Sequence, residues 1–183
     1  AIGYAEKIKK SIELGIIRNH YVGRTFIEPT QQIRSLGVKL KHNVNKSLIR
    51  NKSLILIDDS LVRGTTSVKI IKMLYEAGAR EVHLRIASPP IKYPDYYGVD
   101  TPNQSELLAS KLNVEEMRKF INATTLKFLS VEGLYKSMGY EKRNSSYPQF
   151  TDHCFTGEYP IEPIDANNKD FMNDQLSLMS PKY

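Results

Sequence analysis

Two adjacent carboxylates, Asp58 and Asp59, close the unbroken aliphatic run Leu54-Ile55-Leu56-Ile57, and Gly64-Thr65-Thr66-Ser67 follows shortly after. An aliphatic run of this kind predicts a strand covered on both faces, as in a parallel sheet. Open α/β sheets bind ligands beyond the carboxyl ends of their strands, which is where the two acids fall. The small-residue tetrapeptide predicts a helix N-terminus, and there free backbone N–H groups, hydroxyls and the helix dipole together favour a phosphate. Asp58 and Asp59 have the complementary chemistry: they can hold ribose hydroxyls, directly or through a hydrated Mg²⁺. An isolated Asp-Asp is an ordinary solvated turn, and Thr-Thr an ordinary helix cap. Over the thirteen residues 54–66, strand, acid pair, Ser60, Arg63 and Gly-Thr-Thr turn agree on a sugar-phosphate site. The pattern lacks the Gly-Lys-Ser/Thr ending of a Walker A loop, and no Gly-x-Gly-x-x-Gly marks a dinucleotide fold.

The elements that must position these groups follow from periodicity. A helix is predicted over 2–13 from Ile2, Ala5, Ile8 and Ile12, then a short strand over 14–18 and a long polar stretch over 19–43. The strand 53–58 leads into a helix over 65–77, whose apolar stripe is Val68, Ile71, Met73, Leu74 and Ala77 and whose stop is Gly78. A second strand over 81–88, ended by Pro89-Pro90, completes a right-handed strand–helix–strand crossover. Further on, short helices are expected near Asn103 and after Asn113, where Glu115 and Glu116 fill the first turn. A strand over 125–129 and a helix over 131–138 come next, and from Gly139 the chain turns polar. Residues 1–164 are read as one domain and 165–183 as a loosely attached polar tail.

Composition narrows the class. With 183 residues, 40% hydrophobic and 25% charged, the chain has material for one globular domain. No apolar run is long enough for a membrane helix and no signal peptide opens the chain, so the cytoplasm is the expected compartment. The single cysteine, Cys154, excludes an intrachain disulfide. The helical spacing that begins at Ala1 suggests a fragment whose beginning lies elsewhere. Eleven Lys or Arg against two acids fall between Lys7 and Lys52, an excess larger than the whole chain's +6. No nucleic-acid-binding motif accompanies these cations, so the expected partner is a small polyanion such as a diphosphate. His20, His42, His83 and His153 lack metal-ligand spacing, with His83 read as a packed strand residue and His20 as a marginal substrate contact.

The segment from Leu54 to Thr66 resembles the phosphoribosyl-diphosphate signature of the type I phosphoribosyltransferases. Arg18-Asn19-His20-Tyr21-Val22-Gly23-Arg24-Thr25-Phe26-Ile27 further resembles the mobile loop of the glutamine phosphoribosyl-diphosphate amidotransferase family. The likeness continues through Pro29, Gln31-Gln32, Arg34, Val38 and Lys41, then through Ser88-Pro89-Pro90-Ile91, Tyr97-Gly98-Val99-Asp100 and Glu106-Leu107-Leu108-Ala109-Ser110. Cys154-Phe155-Thr156-Gly157-Glu158-Tyr159-Pro160 extends it.

That resemblance implies an α/β type I phosphoribosyltransferase fold, a mostly parallel sheet flanked by helices, here lacking its first strand. It implies attack of ammonia on C1 of 5-phosphoribosyl 1-diphosphate, giving 5-phosphoribosylamine, the first committed step of purine nucleotide synthesis. Tyr21 and Arg24 would stand near the reacting centre, under a cationic lid that also carries Arg18, Arg34 and Lys41. Arg18 stands where the family more often has Lys, which keeps the charge and changes the donor geometry. Asp58, Asp59, Ser60, Arg63, Gly64, Thr65, Thr66 and Ser67 would bind the sugar phosphate, with Mg²⁺ held at Asp58 and Asp59. Ammonia would come from a glutaminase domain that this chain does not contain, and the assembly would be a homo-oligomer, with neither nucleic acid nor membrane as partner. Some members hold an iron–sulfur cluster, and two of its positions fall at Asp95 and Thr151, so only Cys154 is kept. One thiolate cannot hold a four-iron cluster, so none is expected and Cys154 is read as a small buried hydrophobe. Three alternatives stay open: a type I enzyme acting on a free base, a non-catalytic phosphoribosyl-diphosphate sensor, and an inactive gene fragment.

Overall fold

The computed structural model describes residues 1–18, 42–98 and 103–161. The predicted lid residues Tyr21, Arg24, Arg34 and Lys41, together with His20 and the tail 165–183, lie outside them, and Arg18 is described in its backbone alone.

Three parallel strands make the central sheet: β3 (Ser53–Asp58), β4 (Glu81–Ile86) and β5 (Thr125–Phe128), with β4 in the middle. Ser53 pairs with Glu81 and Asp58 with Ile86, while His83 pairs with Thr125. A short helix, α2 (Lys46–Ile49), precedes β3 and buries Ile49. Helix α3 (Thr65–Glu76) carries the chain from β3 to β4, and α5 (Val114–Phe120) precedes β5. Burial along β4 alternates strictly. Val82, Leu84 and Ile86 are buried against Ile71 and Leu74 of α3, Met117 of α5, Ile121 and Leu126. Removing that apolar area from water is the main stabilising term of the fold.

The opposite sheet face corrects an expectation. The run Leu54–Ile57 predicted cover on both faces, yet Ile55 is 45% exposed and its neighbours on β4 are Glu81, His83 and Arg85. Helices α3 and α5 pack the other face through Ile71, Leu74 and Met117. His83 is a packed residue, as expected: Ser53 Oγ lies 3.1 Å from its Nε2 and Thr125 Oγ1 3.0 Å from its Nδ1, so it ties three strands together.

Elsewhere boundaries move for local reasons. Helix α1 (Ile2–Lys7) stops short of the predicted 13, because none of its residues is buried and Lys9 adopts a left-handed φ of 53°. The polar stretch 19–43 ends in a strand the periodicity missed. There β2 (His42–Val44) pairs antiparallel with β1 (Ile16–Arg18), joining Arg18 to His42 in register. Near Asn103 the predicted helix is a 3-10 turn (Gln104–Glu106) followed by α4 (Leu108–Lys111). Asn113 caps α5 as expected, with its side chain accepting from Glu116 N while Glu116 accepts from Asn113 N. Beyond β5 lies α6 (Val131–Ser137), and α7 (His153–Thr156) closes the described chain. No helix among the described residues is long and apolar enough to cross a membrane.

Candidate functional site

The predicted sugar-phosphate residues come together where β3 gives way to α3. Asp58 is the last residue of β3, and Ala87 N donates to its carbonyl at 2.9 Å, fixing the strand's end against the start of the next loop. Asp58 Oδ1 accepts from Asp59 N at 3.1 Å, so the two acids are ordered with respect to each other. Asp59 Oδ1 in turn accepts from the amide of Ser60 at 2.6 Å and from its hydroxyl at 3.1 Å. Asp59 is exposed and Asp58 half-buried.

The loop between acids and helix is pinned from below. Leu61 is 2% exposed and belongs to the core, and Leu108 N donates to Val62 O at 2.8 Å. Arg63 Nε donates to Glu106 Oε2 at 2.7 Å, both side chains being about half exposed. An exposed pair of this kind contributes little stability. It does engage the predicted ligand-binding guanidinium with an acid of the protein, so Arg63 is joined to the 104–106 turn.

Gly64 then opens α3 with φ 78° and ψ −10°, a left-handed conformation open to glycine without strain. A Cβ there would stand 2.9 Å from Leu108 Cδ2 and 3.1 Å from Phe120 Cε1. Two requirements, the turn and the close approach, therefore meet at one residue. Glycine has no side chain to cap the initial amides of α3, and no acid stands in the first turn. Thr65 and Thr66 are exposed beside them, whereas Ser67 is 4% exposed and turned into the fold. An anion could be met by these amides and hydroxyls, with the two carboxylates at the neighbouring strand end for hydroxyls or a hard cation.

A second polar assembly, far from the first in sequence, was missed. Arg143 reaches Asp152 with two donors, Nε to Oδ2 at 2.5 Å and Nη2 to Oδ1 at 3.1 Å, and its Nη2 also reaches Glu158 at 2.6 Å. Tyr135, 1% exposed, donates its hydroxyl to Asp152 Oδ2 at 2.9 Å. Burial acts to raise the Asp152 carboxyl, but hydrogen bonds from Arg143 and Tyr135 outweigh it and hold the group below its ordinary range.

Next to Asp152, the side chains of His153 and Cys154 meet Asp95 from the loop after β4. One ligand-type atom from each lies within 4.8 Å of the others. This corrects the expectation that no histidine stands in a metal-type constellation, since spacing along the chain says nothing about Asp95. Cys154 is half-buried, and burial and then the Asp95 charge push its thiol up to about 11.

Comparisons with known proteins fit this geometry. The chain is 57% identical to amidophosphoribosyltransferase of Rhizobium etli over 181 residues, covering 98% of this chain and 36% of that protein. Against the Bacillus subtilis enzyme it is 52% identical over 162 residues, covering 88% and 34%. Against chloroplastic amidophosphoribosyltransferase 2 of Arabidopsis thaliana it is 49% identical over 179 residues, covering 96% and 31%. No family model matches the chain. A solved structure of glutamine phosphoribosylpyrophosphate amidotransferase from B. subtilis, complexed with ADP and GMP, superposes with a TM-score of 0.75 at 51% identity, covering 87% of this chain and 35% of that one. The chain thus spans about a third of the length of the relatives it matches. With its parallel sheet and helix-opening loop, the chain matches, in sequence and in fold, the type I phosphoribosyltransferase portion of the amidophosphoribosyltransferases.

Proposed function

We propose that the chain supplies the phosphoribosyl-diphosphate site of an amidophosphoribosyltransferase, where ammonia displaces diphosphate from C1 of the sugar to give 5-phosphoribosylamine. The observation that carries this reading is the uncapped first turn of α3 beside the Asp58–Asp59 strand end, in a chain so similar to named amidophosphoribosyltransferases. The amides and hydroxyls from Gly64 to Thr66 bind the phosphate, and Asp58 and Asp59 hold the ribose hydroxyls. As C1–O breaks and C1–N forms, positive charge grows on the sugar, and the paired carboxylates stabilise it electrostatically. Ammonia loses a proton as the new bond forms.

The donor set of Asp58 and Asp59, hard carboxylate oxygens at a strand end, suits Mg²⁺. When bound, that ion neutralises charge on the departing diphosphate. Tyr21 and Arg24 act near the reacting carbon in this reading, and Arg18, Arg34 and Lys41 provide cations for the diphosphate. The relatives are about three times longer than the matched segment, and the reading assigns release of ammonia from glutamine to a glutaminase domain. A cytoplasmic homo-oligomer completes it. The single thiol of the chain does not fit a four-iron cluster, and no step is assigned to one.

Calorimetric titration with 5-phosphoribosyl 1-diphosphate and Mg²⁺ tests the site through Asp59→Asn. Asp59 is exposed, so the melting temperature should hold while affinity falls about tenfold or more, a loss of ~1.4 kcal/mol. Unchanged affinity would remove Asp59 from the site. Diphosphate release from the sugar substrate and ammonia, measured on the same chain, tests the chemistry separately.

A further inference from the structure

The sugar-phosphate reading leaves the Asp95–His153–Cys154 assembly unexplained. His153 is 3% exposed, and neither ring nitrogen has a hydrogen-bond partner among the described residues. Burying an imidazole whose nitrogens both lack partners is costly, so such a group calls for an explanation. Its surroundings hold the ring in place without satisfying the nitrogens. Tyr159 lies against it, tilted by 30° at a centroid distance of 4.9 Å, and Tyr97 meets it edge-on at 5.0 Å. Tyr159 is fixed by donating to Pro94 O at 2.9 Å, and Tyr97 donates its hydroxyl to Ile161 O.

Asp95 Oδ1 stands 3.6 Å from His153 Nε2, beyond hydrogen-bond range. Two ligands at ~2.0–2.1 Å from one tetrahedral metal lie about 3.4 Å apart, close to that separation. The carboxylate is oriented, since Asp95 Oδ1 accepts from Tyr97 N at 2.5 Å, and its side chain is 10% exposed. Cys154 is tied to the same loop: its carbonyl accepts from Lys92 N at 2.9 Å and from Tyr93 N at 3.1 Å. Thus one carboxylate oxygen, one imidazole nitrogen and one sulfur, all within 4.8 Å of one another, are set by aromatic packing and backbone hydrogen bonds.

From this we infer that Asp95, His153 and Cys154 form a mononuclear site for a divalent transition ion of the zinc class. A thiolate and an imidazole select such an ion over Mg²⁺ or Ca²⁺, which prefer all-oxygen shells. The fourth position of the tetrahedron is left to solvent or a small exogenous ligand. On binding, the Cys154 S–H bond breaks, the sulfur keeps the electron pair and bonds the metal, and the proton leaves to solvent. The site clamps α7 to the loop after β4, so the ion stabilises the fold independently of the sugar-phosphate residues.

The test measures zinc in the purified chain by elemental analysis, after equilibration with zinc and dialysis against metal-free buffer. About one zinc per chain is expected, with a rise in melting temperature on adding zinc to the metal-free form. Cys154→Ser should reduce bound zinc at least about tenfold and abolish that rise. Asp95→Asn keeps the acceptor for Tyr97 N and so should stay folded, while losing zinc affinity. Cobalt loading gives a second readout: a sulfur-to-cobalt charge-transfer band present in the parent and absent from Cys154→Ser. Asp59→Asn should keep full zinc content, which separates this site from the sugar-phosphate one. Zinc content well below one equivalent in the parent, or unchanged content in both Cys154→Ser and Asp95→Asn, would overturn the assignment.

Discussion

Helices α3 and α5 pack against the same sheet face and begin in opposite ways. At α5, Asn113 and Glu116 close a reciprocal capping box, and Glu115 and Glu116 meet the positive end of the dipole. At α3, the cap is Gly64, which offers no side chain to the first turn, and no acid stands in that turn. The first turn of α5 is capped by its own N-cap side chain, and that of α3 has no N-cap side chain to do the same, which on the proposed function leaves room for a phosphate. On the proposed function, the difference teaches how a fold reserves a binding site. Local stabilisation that the sequence uses freely at a structural helix is withheld at the one that follows the acid pair.

The largest effect should come from removing the device that keeps the α3 end open. Gly64→Ala places a β-carbon at a φ of 78° and within 2.9 Å of Leu108 Cδ2. Leu108 can shift only by disturbing a core to which it belongs, and Phe120 blocks the second direction. The expected cost is ~1–3 kcal/mol, read as a lower midpoint in denaturant unfolding, together with at least about tenfold weaker sugar-diphosphate binding. If stability falls and affinity is unchanged, the turn serves packing alone.

A smaller effect is expected where the cap is complete. Asn113→Ala removes the acceptor for Glu116 N, which should cost about 1 kcal/mol in the same unfolding measurement. Because α5 is a structural helix, affinity for the sugar diphosphate should not change. The two substitutions therefore differ in kind: one at Gly64 couples stability to binding, and one at Asn113 touches stability alone. A loss of binding in Asn113→Ala would erase the distinction.

That contrast was largely legible in the sequence, because caps and turns are written in adjacent residues. Asn113 with two acids after it, and Gly-Thr-Thr after an aliphatic run, each announce a helix start within a few positions, and β3 begins and ends where the periodicity put it. What was not legible depends on partners distant along the chain. Arg143 and Asp152 read as polar loop residues until Tyr135 and Glu158 are brought to them, and Asp95 meets His153 only through the loop after β4. The exposed face of β3 escaped for a related reason. Leu54 to Ile57 are aliphatic at every position, so alternation could not reveal that Ile55 lies opposite the face that α3 and α5 pack. Arg24, Arg34 and Lys41, expected to be lid cations, fall outside the described residues, so the candidate site is described on its strand-and-helix side.

The smallest stability effect should also be the most discriminating. Thr66 is exposed in the first turn of α3, where a negative charge interacts favourably with the dipole. Thr66→Glu should therefore raise unfolding stability, by about 0.3–1 kcal/mol at low salt, with the gain shrinking as salt screens it. If the first turn is reserved for a phosphate, the same carboxylate occupies that place and repels the ligand, so affinity should fall at least about tenfold. Stability and binding would then move in opposite directions on one substitution, as expected where local stabilisation has been given up for function. Titration and unfolding on the same variant decide it. A helix end that gains stability from the added carboxylate and still binds the sugar diphosphate as tightly as before is an ordinary helix end, and the phosphate must sit elsewhere.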